Sequence, residues 1–352
     1  MSELAQLYPW HASLWQQLSG SEDKQANFPH ALLISGIAGT GKKALAFYLA
    51  QTLMCHAPHK DPQTKAFHPC QQCRACLLFN SANHPDLQYL TTAEDKKIIN
   101  VDRVRELIQW SVLSSQLQRK KVVIVEPADA MNQNAANSLL KTLEEPVPNT
   151  VLLLVSNKKQ SLLPTIRSRC QTIDIGLPDQ AMARQWLEEQ GVKESALMLA
   201  LASGAPLKAR QLALEDAQTI RKEVFESLLQ VANNQIDPVS GADGLFKLST
   251  VKKTKSAKKR LTASAFDIIY WLDLLITDLA RLSQFELPAG AEQYISNIDY
   301  LQDLQQLSNR LYLKKLMQLS DSVNKAYYEI QGSINLNLLF EKLLIDWKNC
   351  LK

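Results

Sequence analysis

The stretch Ala31–Lys43, ALLISGIAGTGKK, constrains this chain more than any other. An apolar run enters Gly36-Ile37-Ala38-Gly39-Thr40-Gly41-Lys42, and a helical pattern follows at once. Strand, glycine-rich loop and helix in that order make the scaffold of a phosphate-binding loop. The glycines let the backbone wrap an anion, its N–H groups turn inward, and the helix adds the positive end of its dipole. Gly36, Gly39, Thr40, Gly41 and Lys42 are therefore the candidate nucleotide-binding residues, with Lys42 reaching for the terminal phosphates. A hydrolysing loop continues with Ser or Thr, whose hydroxyl holds magnesium. Here the next residue is Lys43, and an ammonium cannot ligate a metal. The expectation is a degenerate loop that binds ATP weakly or not at all and supports no magnesium-dependent hydrolysis.

With 352 residues the chain can build two or three domains. An apolar content of 46% argues against wholesale disorder, and 39 basic against 35 acidic residues is too even a balance to mark a nucleic-acid binder. No apolar run approaches the roughly 18 residues of a membrane span, and MSELAQLYPW carries no signal pattern, so a cytoplasmic protein without membrane contact is expected. In a reducing compartment clustered cysteines point to metal, and Cys55, Cys70, Cys73 and Cys76 cluster. Four thiolates can surround one structural zinc tetrahedrally. His56, His59 and His68 lie within the same loop and could replace a thiolate, although four cysteines already fill the shell. A closed shell leaves no open position for catalysis, so the ion would staple the loop.

Taken in order, Leu4, Leu7, Trp10, Leu14, Trp15 and Leu18 fall at helical spacing and read as a segment covering a sheet. His84-Pro85-Asp86 reads as a turn entering the strand Leu87–Leu90 rather than an acid–base pair. Lys121–Val125 is a buried parallel strand, followed by Glu126-Pro127 where phosphate-loop ATPases place a magnesium-binding Asp and a water-orienting Glu. Proline has no base chemistry, so a second catalytic part is missing. NSLLKTLEEP, Asn137–Pro146, is an amphipathic helix with Lys141, Glu144 and Glu145 outward. Val151–Val155 is a further strand, with Ser156-Asn157 at the edge where polar residues sense ligands in open sheets. Leu163–Cys170 ends the α/β part with Arg169 on a turn. Beyond Pro178 only helical patterns remain, interrupted by a polar insert near 233–262 in which Lys252–Arg260 holds six cations in nine residues.

The loop at 36–42, the four cysteines, His84-Pro85-Asp86, NSLLKTLEEP and Ser168-Arg169-Cys170, in this order, resemble the AAA+ clamp-loader ATPases of bacterial DNA polymerase III. Lys43 and Glu126-Pro127 resemble that family's non-hydrolysing stator rather than its gamma/tau motor. Leu207, beside Lys208 and Arg210, stands where the motor carries a lid arginine. The resemblance implies an α/β AAA+ domain with a parallel sheet and zinc insert over 1–175, a small helical lid over 176–215 and an all-α collar over 216–352. It further implies a hetero-pentameric ring with gamma/tau-type motors and a delta subunit, which loads a sliding clamp on primed DNA. Arg169 would then act in trans as an arginine finger on a neighbour's ATP. Two rivals remain from the residues alone: a self-sufficient ATPase of the motor type, opposed by Lys43, Pro127 and Leu207, and a stand-alone nucleic-acid binder, opposed by the lack of a base-reading helix or aromatic platform.

Overall fold

The computed structural model describes residues 5–19, 28–92, 98–214, 217–250, 264–284, 294–330, 332 and 334–352. The basic run Lys252–Arg260 lies outside them. The chain divides into two compact units, Met1–Ala183 and Arg184–Lys352.

The first unit runs α1 (Ala12–Ser19), β1 (Ala31–Gly36), α2 (Lys42–Met54), β2 (His59–Lys60), β3 (Phe67–His68), α3 (Arg74–Asn80), β4 (Leu87–Leu90), α4 (Val101–Val112), β5 (Lys121–Val125), α5 (Gln133–Glu144), β6 (Thr150–Ser156), α6 (Pro164–Arg167) and β7 (Gln171–Ile175). Five strands form one parallel sheet in the order β4-β5-β6-β1-β7. β5 and β6 are buried along their whole length, as expected of short β-branched and leucine runs covered on both faces. Side chains alternate between the two faces. Leu32, Ile34, Val122, Ile124 and Leu153 pack with Trp15, Phe47 and Phe79 on one side. Leu33, Val123, Val125, Leu152 and Leu154 pack with Val104, Leu107, Leu139 and Leu143 on the other. Helix α5 is started by Asn132, whose side chain accepts the Ala135 N–H, and it stops before Pro146, which disfavours helical backbone at Glu145.

The second unit is helical. The chain division falls inside α7 (Gln180–Glu189), and α8 (Ser195–Leu201), α9 (Pro206–Leu214), α10 (Ala217–Ala232), α11 (Pro238–Thr250), α12 (Ala265–Gln284), α13 (Leu301–Ser308), α14 (Leu313–Glu329) and α15 (Leu336–Asn349) follow. Trp271, Phe340 and Trp347 are fully buried, and Trp347 Nε1 donates to Leu228 O at 3.0 Å. Within the stretch that reads as a polar insert in the sequence, residues 238–250 form α11, with Ala242 and Leu245 buried. Lys208 stands over the Tyr270 ring at 3.4 Å and Arg210 over Trp186, so both cations beside Leu207 are engaged inside this unit. Among the described residues no helix is long and apolar enough to cross a membrane.

Candidate functional site

The glycine loop connects β1 to α2 at the C-terminal edge of the sheet. Gly41 has φ +87°, and a Cβ there would lie 2.7 Å from Tyr8 and 2.8 Å from His11, so both backbone and space require glycine. The loop is closed on itself. Lys42 Nζ donates to Ile37 O at 2.7 Å, and Thr40 Oγ1 donates to the same carbonyl at 2.9 Å. Burial pushes Lys42 down to about 8 against the pull of Asp129 and Glu126. Thr40 O accepts from Trp10 Nε1 at 2.9 Å and bonds His11 Nε2 at 2.8 Å, which requires the proton on Nε2. Tyr8 stacks on Trp10 with centroids 4.9 Å apart. His11 is fully buried, and burial holds it down at about 4 despite its bond to Thr40, so it is neutral at pH 7. Helical spacing predicts only that this segment covers a sheet. Its aromatic residues also grip the loop, a role that the spacing does not reveal.

Lys43 does not stand free in solvent. Its Nζ lies 3.4 Å from Glu126 Oε2 and 5.0 Å from the centroid of Tyr89, whose hydroxyl donates to Glu126 at 2.6 Å. Burial works against the charge on Lys43, but Tyr89 and Glu126 outweigh it and raise its pKa. The acid at the end of β5 is thus engaged by an ammonium and a phenol, and a divalent cation there would have to displace both. Nearby, Asp129 accepts from Ser156 Oγ at 2.7 Å and from the Asn157 N–H at 3.1 Å, so Ser156 is tied to a protein carboxylate at the edge where a ligand sensor is expected.

The cysteines meet at the opposite end of α2. Cys55 caps that helix, Cys73 is the N-cap residue of α3, and Cys76 lies in its first turn. The four Sγ atoms lie within 4.8 Å of one another, and Cys55 Sγ to Cys73 Sγ is 3.9 Å. Four sulfurs at about 2.3 Å from a central ion would be about 3.8 Å apart, so the set fits a tetrahedral metal. The Cys70 N–H donates to Cys55 Sγ and the Cys73 N–H to Cys70 Sγ, both at 3.3 Å, as outer bonds to thiolates should. Burial opposes ionisation of Cys70, but the N–H groups of Gln72 and Cys73 prevail and hold it at about 6. The loop between Cys55 and Cys70 contains the hairpin β2–β3, in which His59 stacks on His68 and His68 Nδ1 bonds the Tyr48 hydroxyl at 2.7 Å. The metal-capable group among the described residues consists of cysteines alone. Arg119 fastens the module to the sheet by donating to Cys55 O at 2.7 Å and His56 O at 3.1 Å. His84-Pro85-Asp86 is a turn. The buried Asp86 carboxylate accepts from Ser115 Oγ, Gln116 N and Leu117 N, shaping the loop before β5.

Arg169 precedes β7. Register pairs Gln171 with Leu32 at one end of β1 and Ile175 with Gly36 at the other. The glycine loop leaves from the Gly36 end, so Arg169 lies across the sheet from it, about 16 Å of strand away. Its Nη2 lies 2.6 Å from Glu144 Oε1 at the end of α5, and its Nη1 donates to Thr165 O at 2.9 Å. Neighbouring Cys170 is buried, and burial pushes its thiol up to about 11, which makes it a packing residue.

The sequence family described as DNA polymerase III, delta subunit, matches residues 10–178, and its C-terminal counterpart matches residues 215–349. The DNA polymerase III subunit delta' of Pseudomonas aeruginosa is 35% identical over 350 residues, covering 98% of each chain. The chain belongs to the delta-prime family. The delta-prime subunit of Yersinia pestis is 32% identical over 98% of this chain and 96% of its own, and that of Escherichia coli K12 is 29% identical over 96% and 94%. The delta-prime fold in this chain therefore combines a phosphate-loop sheet, a four-cysteine module, an edge arginine and a helical second unit.

Proposed function

We propose that this delta-prime chain is the stator of a DNA polymerase III clamp loader. It sits in a hetero-pentameric cytoplasmic ring with gamma/tau-type motors and a delta subunit. The ring places a sliding clamp on primed DNA. The stator hydrolyses no ATP itself and donates Arg169 to the neighbouring motor's site. Cys55, Cys70, Cys73 and Cys76 hold a structural zinc that braces the loop between α2 and α3. Residues 176–215 act as the lid and 216–352 as the collar that joins the ring.

One observation carries this reading. Arg169 and the chain's own glycine loop lie at opposite edges of the sheet, so this arginine is out of reach of a phosphate in that loop, which supports a role on another chain. A fixed guanidinium stabilises charge that builds on a transferred phosphoryl group, so hydrolysis becomes a report of how two subunits are seated. The Lys43–Glu126 pair and Pro127 support the absence of hydrolysis in this chain's own site. The test is ATP hydrolysis by the purified chain alone and by the chain mixed with gamma-type and delta subunits, clamp and primed DNA. Silence alone is expected, and Arg169→Ala is expected to enter the complex and cut stimulated turnover at the dependent site by about 10³-fold. Turnover by the lone chain would make it a motor, and unchanged stimulated turnover with Arg169→Ala would end the trans-finger role.

A further inference from the structure

The contact between Arg169 and Glu144 bears on how such an arginine is controlled, an inference that rests on its proposed trans role. Both side chains are half exposed on fixed stems. Leu143, beside Glu144, is buried and its carbonyl bonds His30 Nε2 at 3.1 Å, while Ile166 and Cys170 are buried on either side of Arg169. The side chains of Glu144 and Arg169 retain 49% and 35% of their exposure, so the pair can open without disturbing the packing beneath it. Glu144 is also the last residue of α5, where the helix dipole disfavours a carboxylate and favours a cation. The site therefore attracts the guanidinium twice, through the carboxylate and through the helix end.

We propose that Glu144 holds Arg169 in reserve. Its carboxylate competes with the neighbouring subunit's terminal phosphate for the guanidinium, and while the pair is closed the finger presents little net charge across the interface. The phosphate takes the arginine only when the two subunits seat closely enough to outcompete a carboxylate 2.6 Å away. Glu144 is thus a positioning residue that makes the finger conditional on assembly geometry. Its own contact is with Arg169, and the phosphate is touched by Arg169.

The experiment is ATP turnover by the reconstituted complex, without and with clamp and primed DNA, carrying wild type, Glu144→Gln, Arg169→Ala or both changes. Glu144→Gln should raise unstimulated turnover about two- to fivefold, the range for losing one half-exposed ion pair, and lower the ratio of stimulated to unstimulated rate. The gain should vanish in the double variant, which should match Arg169→Ala. Glu144→Asp, with a shorter arm but the same charge, should fall between wild type and Glu144→Gln. A purely structural role would give none of this dependence on Arg169. Lower or unchanged unstimulated turnover with Glu144→Gln overturns the reserve role. If Arg169→Ala itself leaves stimulated turnover intact, the finger reading fails first, and that result is read from a different variant.

Discussion

Replacing Cys73 with serine should undo the four-cysteine module, and the size of the effect follows from what the module covers. Serine is a poor ligand for a soft cation, so the shell loses one of four donors. The segment it staples contributes Phe67, 8% exposed, and Phe79, fully buried, with Phe79 edge-on to Phe47 at 6.3 Å. Burying a phenylalanine is worth roughly 1.5–3 kcal/mol, so releasing both costs roughly 3–6 kcal/mol. For a unit the size of Met1–Ala183, about 2–4 °C per kcal/mol gives a fall in melting temperature of roughly 6–24 °C. The assay is calorimetric melting beside a zinc determination on the native protein, where one zinc per chain is expected. His59→Ala is the control and should keep its zinc, because His59 stacks on His68 away from the thiols. A native protein without stoichiometric zinc, whose melting moves by less than about 2 °C on Cys73→Ser, would refute the reasoning.

The remaining predictions concern the loop and the arginine. Lys43→Thr restores a hydroxyl but leaves Pro127 in place of a water-orienting carboxylate, so the purified variant should still show no ATP turnover; appreciable turnover would mean that Pro127 is no barrier. His11 sits near 4 when folded and near 6.5 when unfolded, so between those values the unfolded chain binds more protons and stability falls as the pH drops. His11→Gln keeps a donor for Thr40 O without a titrating group, so the stability of wild type relative to the variant in urea melts should rise by up to about 3 kcal/mol from pH 4 to pH 7; a pH-independent difference would contradict the burial argument. Arg169→Ala opens one half-exposed ion pair and should cost under about 1 kcal/mol in the same melts, so that its lost turnover is lost chemistry; a larger cost would make Arg169 a structural residue.

The parts of this molecule that sequence exposes share a physical cause. A parallel strand covered on both faces must be apolar throughout, so Lys121–Val125 and Val151–Val155 stand out as runs bounded by polar or turn residues. Glycines at positive φ and cysteines at ligand spacing are equally plain. Lys43, Glu126 and Tyr89 are each visible, but their meeting depends on β4 lying beside β5 with Tyr89 opposite Ile124, which no local pattern encodes. The bonds from Trp10 and His11 to Thr40 O end on a backbone carbonyl and leave no periodic trace. Hairpin β2–β3 has two residues per strand, too few to alternate. Helix α11 contains Gly241 and Gly244, which weaken helical propensity and make the segment read as insert.

The sheet also gives the proposed stator a way to lose one half of an ATPase and keep the other. In a parallel sheet every strand delivers its loops to the same two edges. The glycine loop, Lys43, Glu126, Asp129 and Ser156 lie at the C-terminal edge, while the turn carrying Arg169 enters β7 from the N-terminal edge. Residues that would serve this chain's own nucleotide are coupled to one another, Lys43 through Glu126 and Lys42 through Glu126 and Asp129, so a change at Lys43 is felt by its neighbours on this edge. Among the described residues Arg169 shares no hydrogen-bond or ion-pair partner with any of them, its own being Glu144, Thr165 and Ser168. Sites without shared partners vary independently. A substitution that silences the loop therefore leaves the arginine's geometry intact, which is the condition for a subunit to abandon its own chemistry and still govern a neighbour's.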